Sequence, residues 1–219
     1  MALFVLLIWL GGIIYAILFV VSPTEGLGDL VRIAFFHIPV AWVAVMAFML
    51  SAYWAVRYLR TGDIVYDWWG AAAAGWGLVF CLLATISGAI FAKLTWGAYW
   101  NWDPRQTTIF VLLLLYGAYL ALRSAIADEA QRARVAAVYS LLAAGSVPFL
   151  VFIIPRYYFS LHPEPVLNRN GRLDIEPVML WVLLAAVGAC TAFFWQLLTR
   201  SVAKRGRRTK PGWKGTVRP

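Results

Sequence analysis

The chain is 219 residues long, 63% hydrophobic and only 13% charged, with a mean hydropathy of +0.75. A water-soluble domain carries about 25% charged residues, so a single core surrounded by water is excluded and lipid must cover part of the apolar surface. The net charge of +9 does not indicate a nucleic-acid-binding domain, because the basic residues cluster at the ends of apolar runs and from Arg200 onward, as membrane orientation signals do.

A bilayer crossing needs about 20 apolar residues, and six runs qualify in chain order. Residues 1–21 carry no charge, 33–56 are interrupted only by His37, and 68–92 are again uncharged. Residues 106–122 are short but continuous, and 135–154 and 177–199 complete the set. The expected fold is an all-α bundle of six transmembrane helices forming one membrane domain over 1–219. The first run lacks a basic leader and a small-residue cleavage site, so it reads as a retained helix. Thirteen basic residues fall on one side of this layout and six on the other. The richer side is cytoplasmic, so both termini are expected there, with residues 200–219 as a basic cytoplasmic tail on the anionic inner leaflet. Cys81 and Cys190 lie inside apolar runs, and no Cys-x-x-Cys pair is present. Neither a dithiol redox centre nor covalent c-type haem attachment is therefore expected.

Three loops then share the outer face, and the second of them is the least ordinary stretch of the chain. Trp96, Trp100 and Trp102 fall within seven residues, followed by Asp103, Pro104, Arg105 and Gln106. Asp103 suits a helix N-cap, Pro104 the first helical position and Gln106 the third position of a capping box. Capping does not account for the aromatic concentration, nor for Gly97, a position where a backbone can approach a ligand closely. A flat aromatic shelf fits a flat apolar ligand with a polar rim, such as haem, whose iron takes imidazole donors. The chain's two histidines, His37 and His162, both map to the outer face. Arg32 lies five residues before His37, about 7.5 Å along a helix axis. With Arg105 and Arg156 it is a candidate partner for the haem propionates; an interfacial anchor is the alternative role for all three.

Three segments resemble the haem-handling family of cytochrome c maturation, and most closely its haem exporter protein C branch. Arg32 to Trp42, containing His37, is similar to the family's first histidine segment. Trp96 to Thr107 is similar to its tryptophan-rich "WWD" signature, and Tyr157 to His162 to its second histidine segment. The resemblance implies that His37 and His162 are axial ligands of the haem iron. It implies that Trp96, Gly97, Trp100, Trp102 and Asp103 form the haem platform near the outer surface of a prokaryotic inner membrane. It further implies transient binding of haem b, transfer to the membrane-anchored chaperone CcmE, and work beside an ABC-type complex (CcmA and CcmB) with the small subunit CcmD. Haem delivery rather than enzymatic turnover is the implied role. This branch more often reads Trp-Asp-x-Arg-Leu-Thr, whereas Pro104 and Gln106 flank Arg105 here. A competing class is the membrane-anchor subunit of a respiratory complex binding b-type haem or quinone. Such anchors place paired histidines within spans, whereas His162 is expected in a loop. A solute permease is disfavoured because no charge interrupts the six runs.

Overall fold

The computed structural model describes residues 2–162 and 175–209, with side chains from residue 4 onward. Arg169 and Arg172, two of the six basic residues expected on the outer side, and the basic residues beyond Thr209 lie outside the described residues. In lipid every backbone amide must find its partner within the protein, so long apolar runs become helices. Here they are α1 (Ala2–Phe19), α2 (Ala34–Thr61), α3 (Ile64–Trp96), α4 (Pro104–Ala125), α5 (Glu129–Pro148), α6 (Ile154–Tyr157) and α7 (Pro177–Thr209). A 3-10 turn, Asp29–Ile33, leads into α2, and a π-helical turn, Phe149–Ile153, joins α5 to α6. Among the described residues five helical stretches are long and apolar enough to cross a bilayer, and beside them stands one shorter apolar helix, Phe4–Phe19. Among the described residues there is no strand; a bridge between Thr24 and Gly28 closes the loop after α1.

The turns follow from their residues. Gly62 ends α2 in the left-handed region (φ 71°), which costs a residue without Cβ little. Asp63 then caps α3 by accepting the Val65 N–H at 3.0 Å. A two-residue connection this tight sets α2 and α3 side by side. Their seam is built of small residues, as lipid-embedded interfaces are: Ala44, Ala47, Ala73 and Ala74 are buried. A Cβ on Gly77 would meet the Phe48 ring at 2.7 Å. Phe48 in turn stacks on Tyr116 of α4, centroids 3.5 Å apart. At the end of the bundle away from His37, Arg123 of α4 grips Asp67 of α3 through two bonds of 2.6 and 2.8 Å, the carboxylate buried and the guanidinium nearly so. Breaking such a pair leaves an uncompensated buried charge, which costs roughly 3–5 kcal/mol.

Most helices extend beyond the apolar runs that nucleate them, because caps and polar flanks can be helical outside the hydrocarbon layer. The largest difference is at the last span. Residues 200–209 continue α7 instead of leaving the bundle as a tail. Val202 and Gly206 are buried there, Arg205 reaches Glu129 at 3.4 Å, and its guanidinium lies over the Trp68 ring. The fifth span is interrupted where Pro148, which has no N–H to donate, precedes the π-turn. It ends in α6, which delivers the chain to His162.

Candidate functional site

A cavity of about 1150 Å³ opens at the His37 end of the bundle. Its walls come from α2, α3, α4, the π-turn and the start of α7, and they are largely apolar: Phe35, Phe48, Ile109, Leu112, Phe152 and Met179 are among them. Polar lining is contributed by Ser22, Thr24, Glu25, Arg105 and Glu176 as well as the two histidines. His37 and His162, 125 residues apart in sequence, both line this space.

His37 is carried by the first turn of α2 and presses against α3. Its Nδ1 lies 3.0 Å from the Ser87 hydroxyl. A Cβ on the next residue, Gly88, would stand 3.1 Å from His37 Cε1, a tight approach, so glycine at that position leaves the imidazole room against α3. The Ser87 hydroxyl also approaches the Leu83 and Ala84 carbonyls at 2.9 and 3.1 Å.

His162 reaches the cavity from the loop after α6 and is held by one carboxylate. Asp103 ends the tryptophan-rich loop and caps α4, accepting the Arg105 N–H at 2.9 Å. It also accepts the Leu161 N–H at 2.7 Å, the Ser160 hydroxyl at 2.9 and 3.1 Å, and His162 Nδ1 at 2.9 Å. Burial pushes the Asp103 carboxyl up, but these donors and the nearby imidazole outweigh it and hold the group below its ordinary value. Burial pushes His162 the other way, down to about 4, against the opposing pull of Asp103 and with help from the charges of Arg105 and His37. At neutral pH the pair is therefore a carboxylate accepting a hydrogen bond from a neutral imidazole.

The tryptophans are placed differently from a shelf inside the cavity. Trp96 packs edge-on against the His162 ring, centroids 4.9 Å apart. Trp100 and Trp102 instead form an edge-to-face cluster with Phe110, and Trp102 is 67% exposed. The three tryptophans are not among the residues lining the cavity. The backbone gives the reason: Trp102 is left-handed (φ 55°), and the reversal leaves its indole outside while Asp103 is buried. Gly97 serves as a left-handed C-cap of α3 (φ 82°), its N–H bonded to the Lys93 carbonyl, and nothing lies within 4 Å of where its Cβ would be. Gln106 does not complete a capping box on Asp103. It staples the loop five and seven residues upstream of itself, accepting the Asn101 N–H at 2.8 Å and donating to the Tyr99 carbonyl at 3.2 Å.

Of the three arginines, Arg105 lines the cavity whereas Arg32 and Arg156 do not. Arg32 pairs with Asp29 at 3.0 Å and donates to the Val21 carbonyl at 3.3 Å; Arg156 is exposed on α6. Sequence reading missed Ser87 and Gly88. Their signal was a small polar residue next to glycine in an otherwise apolar span, but the partner is fifty positions away.

Fold and site together define a polytopic membrane protein with a histidine-lined, mostly apolar cavity at one end of its bundle. The family model described as Heme exporter protein C (CcmC) matches residues 1–211, and the chain belongs to that family. A Heme exporter protein C of Bradyrhizobium diazoefficiens is 31% identical over 167 residues, covering 76% of this chain and 63% of the relative, so the match spans just under two thirds of that protein's length. One from Rhodobacter capsulatus is 29% identical over 213 residues, 92% of this chain and 84% of the relative. A 57-residue stretch is 40% identical to the Cytochrome c biogenesis protein CcsA of Phaseolus vulgaris, covering 26% of this chain and 17% of the relative.

Proposed function

We propose that this chain binds haem in the His37/His162 cavity at the outer face of a prokaryotic inner membrane and passes it on for cytochrome c biogenesis. One observation carries the reading: the chain's two histidines, remote in sequence, line one cavity. Both histidines make side-chain hydrogen bonds through Nδ1, His37 to Ser87 and His162 to Asp103. Apolar walls suit a porphyrin, and Arg105 at the same cavity suits a propionate, to which an arginine fork binds in two places. Arg32 and Arg156 are propionate partners at the rim. Trp96 supports the haem platform through His162, while Gly97 and Asp103 shape the loop and Trp100 and Trp102 face a partner surface. The bound species is haem b, held transiently and accepted by the chaperone CcmE, with CcmA, CcmB and CcmD as the neighbouring complex; membership of the family supports these assignments. The surplus of basic residues on the opposite side supports cytoplasmic termini.

Absorption spectra of the purified protein before and after adding haem test the reading. A six-coordinate low-spin spectrum is expected. His37→Ala and His162→Ala should each convert it to a five-coordinate one that free imidazole restores. Wild-type spectra in both variants would place the ligands elsewhere. Reporter fusions after Trp100 and Pro219 should report outside and inside respectively.

A further inference from the structure

We infer that Ser87 and Asp103 are positioning residues that fix both histidines in the Nδ1–H tautomer, so that each presents its Nε2 lone pair to the iron. The inference rests on the haem-ligand reading above and specifies how the ligands are prepared before haem arrives.

The assignment follows from counting protons. A serine hydroxyl has one proton to donate. Ser87 directs its hydroxyl at the carbonyls of Leu83 and Ala84, 2.9 and 3.1 Å away in its own helix. With that proton engaged, the 3.0 Å contact to His37 is a bond in which Ser87 Oγ accepts and Nδ1–H donates. On the other wall an ionised carboxylate has no proton to give. Asp103 already accepts from two backbone N–H groups and the Ser160 hydroxyl. The 2.9 Å contact to His162 is then Nδ1–H donating to Oδ1. Two unrelated acceptors, one on a transmembrane helix and one at a helix cap, thus impose the same tautomer on ligands from different parts of the chain. This is the tautomer opposite to the one free histidine favours in water, so it reflects the protein. An imidazole whose far nitrogen donates to an oxygen is also oriented and made more basic as a metal ligand. Gly88 completes the device for His37 by leaving room for the ring beside Ser87.

With only two histidines in the chain, nitrogen-15 histidine labelling resolves the question in haem-free protein. Nitrogen shifts should show Nδ1 protonated and Nε2 unprotonated in both residues; an Nε2–H tautomer at either one overturns the inference. Ser87→Ala should release the His37 tautomer alone and Asp103→Asn that of His162 alone, since an amide has one acceptor oxygen for donors that now use two. Ser87→Thr keeps the hydroxyl and should keep the His37 tautomer. Each loss should weaken haem binding on the order of 10–100-fold. Unchanged tautomers and unchanged affinity in Ser87→Ala and Asp103→Asn would overturn the positioning role even if the histidine-to-alanine variants lose the six-coordinate spectrum. If those alanine variants instead keep it, the ligand reading itself fails, and the nitrogen shifts still decide the tautomers.

Discussion

The two walls of the cavity hold their histidines by different means. His37 sits on a transmembrane helix, and its ring is wedged against α3 by a hydroxyl and a glycine. His162 sits in a loop whose neighbours Ser160 and Leu161 converge on one carboxylate. The first wall is set by packing that also holds the bundle together. The second depends on a latch of hydrogen bonds around Asp103, and removing its acceptor releases several donors at once. For the proposed haem site, the difference sets a wall fixed by packing against a wall held by hydrogen bonds.

Overfilling the rigid wall should have the largest effect. Gly88→Val adds bulk where a Cβ alone would stand 3.1 Å from the His37 ring. Overpacking of this kind costs roughly 1–3 kcal/mol, and the His37 imidazole is the group nearest the added bulk. The expected result is loss of the six-coordinate spectrum with helical content retained and the Ser160–His162 loop still protected from protease. A wild-type spectrum in this variant would mean that His37 is not held as described.

The latched wall should respond to pH, with a middling effect. In the open loop His162 has the ordinary histidine value near 6.5, whereas burial lowers it to about 4 in the docked loop. Between those values the open form binds a proton that the docked form excludes, so docking weakens as pH falls through 6.5 and goes on weakening to about 4. Below that both forms are protonated, and the depressed Asp103 carboxyl supplies the remaining loss once it too is neutralised. Hydrogen exchange of the Leu161 amide, which donates to Asp103, measures this directly. Exchange that stays constant from pH 7 to 4.5, after correction for the intrinsic rate, contradicts a latch of this kind. Haem affinity should accordingly fall at lower pH than the ordinary histidine range would give.

The smallest effect is expected on the outside of the loop. Trp102 is exposed and packs on Trp100 and Phe110 away from the cavity, so Trp102→Ala should leave the haem spectrum unchanged. Trp96→Ala, which removes the ring against His162, should lower affinity several-fold. Equal effects from the two substitutions would show that the tryptophans act together as one haem surface.

Apolar run length determined the number and order of the membrane helices, because the backbone in lipid has few alternatives to a helix. Single residues with strong local preferences were also legible: Asp103 caps α4, with Pro104 in its first turn. The continuation of α7 past Arg200 was not, since polar residues become helical there only because Val202 and Gly206 find a place in the bundle. Both histidines stood out in the sequence by their rarity and by falling on the same side of the expected span layout. Tertiary structure alone decided what surrounds them. Run length and charge cannot reveal that Ser87 meets His37 across fifty residues, that Asp103 meets His162 across fifty-nine, or that Trp102 turns outward, because each depends on how helices pack and loops reverse in three dimensions.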